Sequence, residues 1–202
     1  MRGETSLRSW LYTVPNMITL ARLFAVPVVV WAIATGESGI AFGLFVAAGI
    51  SDAVDGYLAK RFRLETELGA YLDPIADKAL LVSIYVALAI VGELPVWVTT
   101  LVVARDLLIV GAVMLAVVLG RPVKVRPIAV SKANTLVQIV LAAVVLAANA
   151  FGWDLAWPTL ILSIVVAFLT VTSAGAYLVE WMAHMTAGPP QATKTGPGDR
   201  QP

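Results

Sequence analysis

Asp52 and Asp55 stand three residues apart, and Asp73 and Asp77 four apart, so four carboxylates fall within 26 residues of apolar sequence. On helices, each pair lies on one face. Two helices joined by a short turn can aim all four at one point. Like charges at close range repel, and the repulsion must be compensated. A divalent cation is the usual compensation. Carboxylates without cysteine or clustered histidine suit a hard, oxygen-seeking ion such as Mg²⁺ or Mn²⁺. Gly56 follows the second aspartate and Ala59 sits about one turn on. Both clear side-chain bulk from the acidic face, so a ligand can approach the backbone there.

From Asp52 to Asp77 the pattern reads D-x2-D-G-x2-A-K-x8-G-x3-D-x3-D. This spacing resembles the signature of the CDP-alcohol phosphotransferase family. One position departs from it: Lys60 stands where the family usually has Arg, which keeps the charge and loses the planar fork. The resemblance covers about residues 14–180. Val14-Pro15-Asn16-Met17-Ile18-Thr19-Leu20-Ala21-Arg22 resembles the opening of both the cardiolipin synthases and the phosphatidylglycerophosphate synthases of the family. Two later stretches separate them. Ala104-Arg105-Asp106 and Val130-Ser131-Lys132-Ala133-Asn134-Thr135-Leu136-Val137-Gln138 resemble the CMP-forming cardiolipin synthases. The phosphatidylglycerophosphate synthases more often show Arg-Glu and Gly-Lys-x-Lys-Thr there.

The resemblance implies an all-α integral membrane protein, with six transmembrane helices around a polar, metal-containing cavity. It implies Mg²⁺ or Mn²⁺, two ions, held by Asp52, Asp55, Asp73 and Asp77. Asp77 is then the base that takes the proton of the attacking hydroxyl. The CDP moiety would contact Asp52, Gly56, Ala59, Lys60 and Gly69. The implied reaction transfers a phosphatidyl group from CDP-diacylglycerol to phosphatidylglycerol, giving cardiolipin and CMP. Glycerol 3-phosphate is the alternative acceptor. Family members resemble homodimers, so a homodimer is the expected assembly.

The elements that must position these residues follow from composition. The 202-residue chain is 59% apolar and 13% charged, with mean hydropathy +0.87, far too apolar for an ordinary soluble domain. A formal net charge of +1 gives no ground for a nucleic-acid partner. The absence of cysteine excludes disulfides, thiolate metal sites and a thiol nucleophile. His184, the one histidine, excludes a histidine-based metal cluster. No short apolar run precedes a cleavage site, so the first long apolar run is expected to stay as a span.

A helix needs roughly 20 apolar residues to cross a bilayer. Six such runs are expected: Pro15 to Ala34, about 40–59, 69–91, 95–120, 128–150, and 158 to about His184. Pro27 is expected to kink the first. Pro74 lies in a first turn, where proline is tolerated, and Pro95 and Pro158 are placed to open helices. Turns fall at 36–39, 92–93 and 151–154. Residues 1–13 carry Arg2, Glu4, Arg8, Trp10 and Tyr12 and read as a short interfacial segment. Residues 14–186 form one six-helix domain. Residues 187–202, rich in Gly, Pro, Thr and Gln, read as a disordered tail.

Lys and Arg occur in the N-terminal segment, at 60–63, at 121–126 and in the tail, whereas the turns at 36–39, 92–93 and 151–157 hold none. By the positive-inside rule both termini and both basic loops face the cytoplasm. The aspartates then open to the cytoplasmic side of a bacterial inner membrane, or of an equivalent organelle membrane.

Arg22, Lys78, Arg105, Asp106 and Lys132 lie inside the expected spans. Charges there face a bundle interior, paired or lining a wet cavity. Arg105 and Asp106 either pair to fix packing, or Arg105 joins Lys132 in a cationic pocket for an anionic lipid acceptor. Asn16, Thr19 and Arg22 form one polar stripe. They either reach the substrate's diphosphate or the ligands around the metal, or they only hydrogen-bond neighbouring helices. Two other classes compete with the enzyme. Intramembrane carboxylates also line cation paths, although a transporter leaves Gly56 and Ala59 unexplained. A purely structural membrane protein leaves the buried acids unexplained.

Overall fold

A computed structural model describes residues 20–62, 67–118 and 129–186. These residues form six helices and no strand. α1 covers Leu20–Ala34. It is followed by α2 (Ser38–Phe62), α3 (Glu67–Ile90), α4 (Val96–Val118), α5 (Ala129–Phe151) and α6 (Ala156–Thr186). The expected helices are therefore present within a few residues of their sequence bounds. α1 continues as helix through Pro27, although the proline has no N–H to give to the Leu23 carbonyl. The interfacial segment at 1–13, Asn16, the start of the first span, the loop at 121–127 and the tail lie outside the described residues.

Three helices end in the same way. Gly36, Gly92 and Gly152 each adopt positive φ (78°, 84° and 67°), a conformation that costs side-chain-bearing residues 1–2 kcal/mol, as an order of magnitude. The residue after each glycine closes the helix behind it. Glu37 N–H donates to Ala32 O at 2.8 Å, Glu93 to Leu88 at 2.9 Å and Trp153 to Ala148 at 2.9 Å. Each is the six-to-one bond of a Schellman cap, which satisfies a carbonyl that the ended helix leaves open. Restarts follow at once. Pro95 accepts the first bonds of α4 from Val98 and Thr99. Asp154 Oδ1 accepts from Ala156 N–H at 3.2 Å, capping α6; Pro158 then sits inside the first turn, where its missing donor is no loss.

These turns lie at one end of the bundle. Phe42 near the start of α2 meets Phe151 at the end of α5 edge-on, with centroids 5.5 Å apart. Thr35, Gly36, Glu93 and Asn149 share a cavity there. The core joins Val29 and Ala32 of α1, Ala41 of α2, Ile84, Tyr85 and Leu88 of α3, Val98 and Val102 of α4, Leu141 and Leu146 of α5, and Val166 of α6. Tyr85 is its pivot. Its hydroxyl donates to the Gln138 carbonyl at 3.0 Å, and its own carbonyl accepts from Thr99 Oγ1 at 3.2 Å. α3, α4 and α5 are thereby held together.

Polarity is distributed inside out. Asn134, Gln138 and Ser163 are fully buried, while Ile90 is 80% exposed, Trp157 76% and Phe168 70%. Two helical stretches, Ala129–Phe151 and Ala156–Val179, are long and apolar enough to cross a membrane.

Candidate functional site

α2 carries Asp52 and Asp55 on one helix, and α3 carries Asp73 and Asp77 on the next. The helical backbone puts each pair on one face. The side chains of Asp55, Gly56's neighbours through Gly69, Asp73 and Asp77 lie outside the described residues. Those of Asp52, Arg22, Lys78, Arg105, Asp106 and Lys132 are described, and all but Lys132 fall into two groups that meet at Lys78.

The first group lines a cavity of about 280 Å³ between α1, α2, α3 and α5. Arg22 Nη1 lies 2.9 Å from Asp52 Oδ1. The arginine is almost wholly buried and the aspartate side chain half exposed. Lys78 and Thr135 complete the polar wall. The remaining lining is Phe45, Ala48 and Gly49 of α2, Leu80 and Leu81 of α3, and Ile139 of α5. The order along each helix is the same. Asp52, Lys78 and Thr135 sit farther from the glycine turns than the apolar residues of their own helix. The cavity is therefore charged at one end and greasy toward the other.

The second group lies beside it. Asp106 of α4 accepts from Lys78 Nζ at 2.6 Å through Oδ2 and from Arg105 Nη1 at 2.5 Å through Oδ1. Arg105 Nη2 donates to Ser131 Oγ of α5 at 2.5 Å and to Ser173 Oγ of α6 at 2.9 Å. The guanidinium also sits 5.8 Å from the centre of the Tyr177 ring, within cation–π range. One chain of charged hydrogen bonds thus runs through α3, α4, α5 and α6.

The two expectations for Arg105 separate here. A guanidinium buried to 5% exposure must spend its donors inside the protein, because unpaired burial costs several kcal/mol, as an order of magnitude. Both terminal nitrogens are so engaged, while Nε has no partner among the described residues; these bonds support a packing role. Lys132 is exposed on α5, one residue beyond the serine that binds Arg105. Lys78, expected only to be paired or to line a wet cavity, does both: it binds Asp106 and stands on the cavity wall, directly after Asp77 on the acidic helix. Sequence reading missed Ser173 and Tyr177, whose only signal was their four-residue spacing in an apolar stretch.

A divalent ion is tested by the donor set. Asp52 supplies a partly exposed carboxylate on the cavity wall. α2 and α3 also carry Asp55, Asp73 and Asp77, whose side chains lie outside the described residues, and no sulfur ligand. An all-oxygen set of this kind fits Mg²⁺ or Mn²⁺. Among the described residues alone, no group of three candidate ligands is assembled.

Comparison with known proteins matches this arrangement to a family. Residues 12–185 match the family model of CDP-alcohol phosphatidyltransferase. A probable phosphatidylglycerophosphate synthase of Mycobacterium tuberculosis is 39% identical over 111 residues, 52% of this chain and 53% of that protein. The CMP-forming cardiolipin synthase of Homo sapiens is 35% identical over 102 residues, 50% of this chain and 34% of that protein. The CMP-forming cardiolipin synthase of Streptomyces coelicolor is 37% identical over 100 residues, 46% of each. The matched stretch spans about half the length of the bacterial relatives, or less. With the family model covering most of its length, and with its acidic helices lining a cavity, the chain belongs to the CDP-alcohol phosphatidyltransferase family.

Proposed function

We propose that the protein transfers a phosphatidyl group from CDP-diacylglycerol to phosphatidylglycerol, forming cardiolipin and CMP. The observation that carries this reading is the graded cavity. Arg22, Asp52 and Lys78 stand at one end and Phe45, Leu80, Leu81 and Ile139 toward the other. A phosphate attached to a lipid presents the same sequence of chemistries: charged headgroup, then hydrocarbon. The inside-out burial supports a chain whose six helices all lie in the bilayer, and the placing of Lys and Arg supports acidic helices that open to the cytoplasmic face.

The reaction asks little covalent chemistry of the protein. The acceptor hydroxyl attacks the phosphorus next to diacylglycerol. A new phosphorus–oxygen bond forms and the diphosphate bridge breaks, releasing CMP. Asp77 takes the hydroxyl proton, since an alcohol is far too weak a nucleophile with its proton in place. Asp52, Asp55, Asp73 and Asp77 hold the divalent ions, which supply charge neutralisation at the diphosphate when bound. Arg22 holds the Asp52 carboxylate in position. Gly56 and Ala59 give the cytidine room on α2, with Lys60 and Gly69 beside it. Asn16 and Lys132 are the remaining candidates for the acceptor headgroup, and Arg105 acts through packing. The protein is proposed to work as a homodimer in a bacterial inner membrane or an equivalent organelle membrane.

Support for phosphatidylglycerol comes from two stretches that resemble cardiolipin synthases, Ala104-Arg105-Asp106 and Val130 to Gln138. The Arg105–Ser131 hydrogen bond joins them in space. A second reading has its own support: the M. tuberculosis relative is named a probable phosphatidylglycerophosphate synthase. That reading substitutes glycerol 3-phosphate as acceptor and leaves the donor side unchanged. The experiment that tests the enzyme class is CMP release. Purified protein with CDP-diacylglycerol, Mg²⁺ or Mn²⁺ and either acceptor should release CMP. Cation flux through proteoliposomes without CMP release would overturn the transferase reading in favour of a transporter.

A further inference from the structure

Lys78 faces two ways. Its ammonium lies 2.6 Å from Asp106 Oδ2, yet its side chain remains 40% exposed and lines the cavity that holds Arg22 and Asp52. A lysine that served only to neutralise Asp106 would be buried with it. Asp106 is already neutralised by Arg105, which binds its other oxygen at 2.5 Å. Two cations therefore share one carboxylate, and among the described side chains this group carries one excess positive charge beside the cavity. Arg22 pairs with Asp52 on the same wall. An ammonium has three donors. Asp106 engages one of them, which leaves two for a ligand.

The support behind Lys78 is rigid. Asp106 is fixed by Arg105, and Arg105 is fixed by Ser131 of α5 and Ser173 of α6. A lysine stem has four flexible carbons, and holding it in one place costs rotamer entropy. Here a neighbouring helix meets that cost before any ligand arrives, which is the condition for binding energy to appear as affinity.

We propose that Lys78 is a phosphate-binding residue of the cavity and that Asp106 is the residue that positions it. The proposal rests on the transferase reading for the source of the phosphate, which is either the donor's diphosphate or the phosphate of the acceptor. Both offer the same chemistry: non-bridging oxygens that accept from an ammonium.

The test uses the full chain in detergent or nanodiscs, with Lys78→Met, Lys78→Arg and Asp106→Asn. Two quantities are read: equilibrium binding of CDP-diacylglycerol without acceptor, and the acceptor KM for phosphatidylglycerol and for glycerol 3-phosphate. Lys78→Met should weaken one of them by about tenfold or more, equivalent to about 1.4 kcal/mol. Lys78→Arg should recover most of the loss. Asp106→Asn keeps the volume and should shift the same quantity in the same direction by less, with kcat moving little. A change confined to donor binding assigns the diphosphate; a change confined to acceptor KM assigns the acceptor phosphate. If Lys78→Met does not fold, the Asp106→Asn shift and its KM-to-kcat split decide alone. Wild-type affinity and KM in folded variants would overturn the proposal. The transferase reading fails separately, if the wild-type chain neither binds CDP-diacylglycerol nor releases CMP.

Discussion

Arg22 of α1 and Asp52 of α2 meet at 2.9 Å on the wall of the cavity. The arginine comes from the buried side and the aspartate from the open side. This pairing gives Asp52 a fixed orientation and a counter-charge before any ligand binds. Arg22→Ala should therefore impair turnover without removing a group that touches the reacting phosphorus. A charged hydrogen bond is worth roughly 1.5–3 kcal/mol, so kcat/KM should fall by about 10- to 150-fold. Arg22→Lys should recover part of it. Steady-state CMP release measures both variants. Unchanged kcat/KM in Arg22→Ala would mean that the pair is only structural.

Activity should disappear in excess chelator and return with Mg²⁺ or Mn²⁺. The reason is electrostatic: four carboxylates on two adjoining helices, and a substrate diphosphate, cannot be brought together without positive charge. Full activity in the chelator would sink the metal reading of Asp52, Asp55, Asp73 and Asp77.

Gly49 lines the cavity one turn before Asp52. A Cβ built there meets nothing within 4 Å. Gly49→Leu should fold at least as well as the native chain, since glycine in a helix costs about 1 kcal/mol relative to a good helix former. The added side chain points into the space proposed for lipid. The expected result is an unchanged or higher melting temperature with at least tenfold weaker CDP-diacylglycerol binding. Unaltered binding would place the donor elsewhere.

Arg105→Ala should destabilise the protein by about 3 kcal/mol, because it removes one side of a buried charged network that spans four helices. Arg105→Lys should not rescue it. An ammonium cannot reproduce the fork that serves Asp106, Ser131 and Ser173 at once. Detergent-phase thermal unfolding distinguishes this from a role in acceptor binding, which would change acceptor KM at constant stability.

The helices were legible in the sequence because their ends are written in local chemistry. Gly36, Gly92 and Gly152 with positive φ, and Pro95 at the start of α4, act within one turn of chain. The acidic helices were legible for a similar reason, since i, i+3 and i, i+4 spacings translate directly into a shared face. Partners across helices were not legible. Periodicity says which residues share a face, but not how two helices are rotated against each other. That Lys78 reaches Asp106, and that Arg105 reaches Ser173 of α6, depends on those rotations. Nor does periodicity show that Arg105 is buried against Ser131 and Ser173, where a low-dielectric surrounding favours local partners for its charge.

The most direct measurement is product analysis with purified protein, CDP-diacylglycerol, a divalent ion, and either phosphatidylglycerol or glycerol 3-phosphate. The prediction is cardiolipin and stoichiometric CMP from the first acceptor, with glycerol 3-phosphate a poor substitute. Phosphatidylglycerophosphate from the second acceptor, with no cardiolipin from the first, would contradict it.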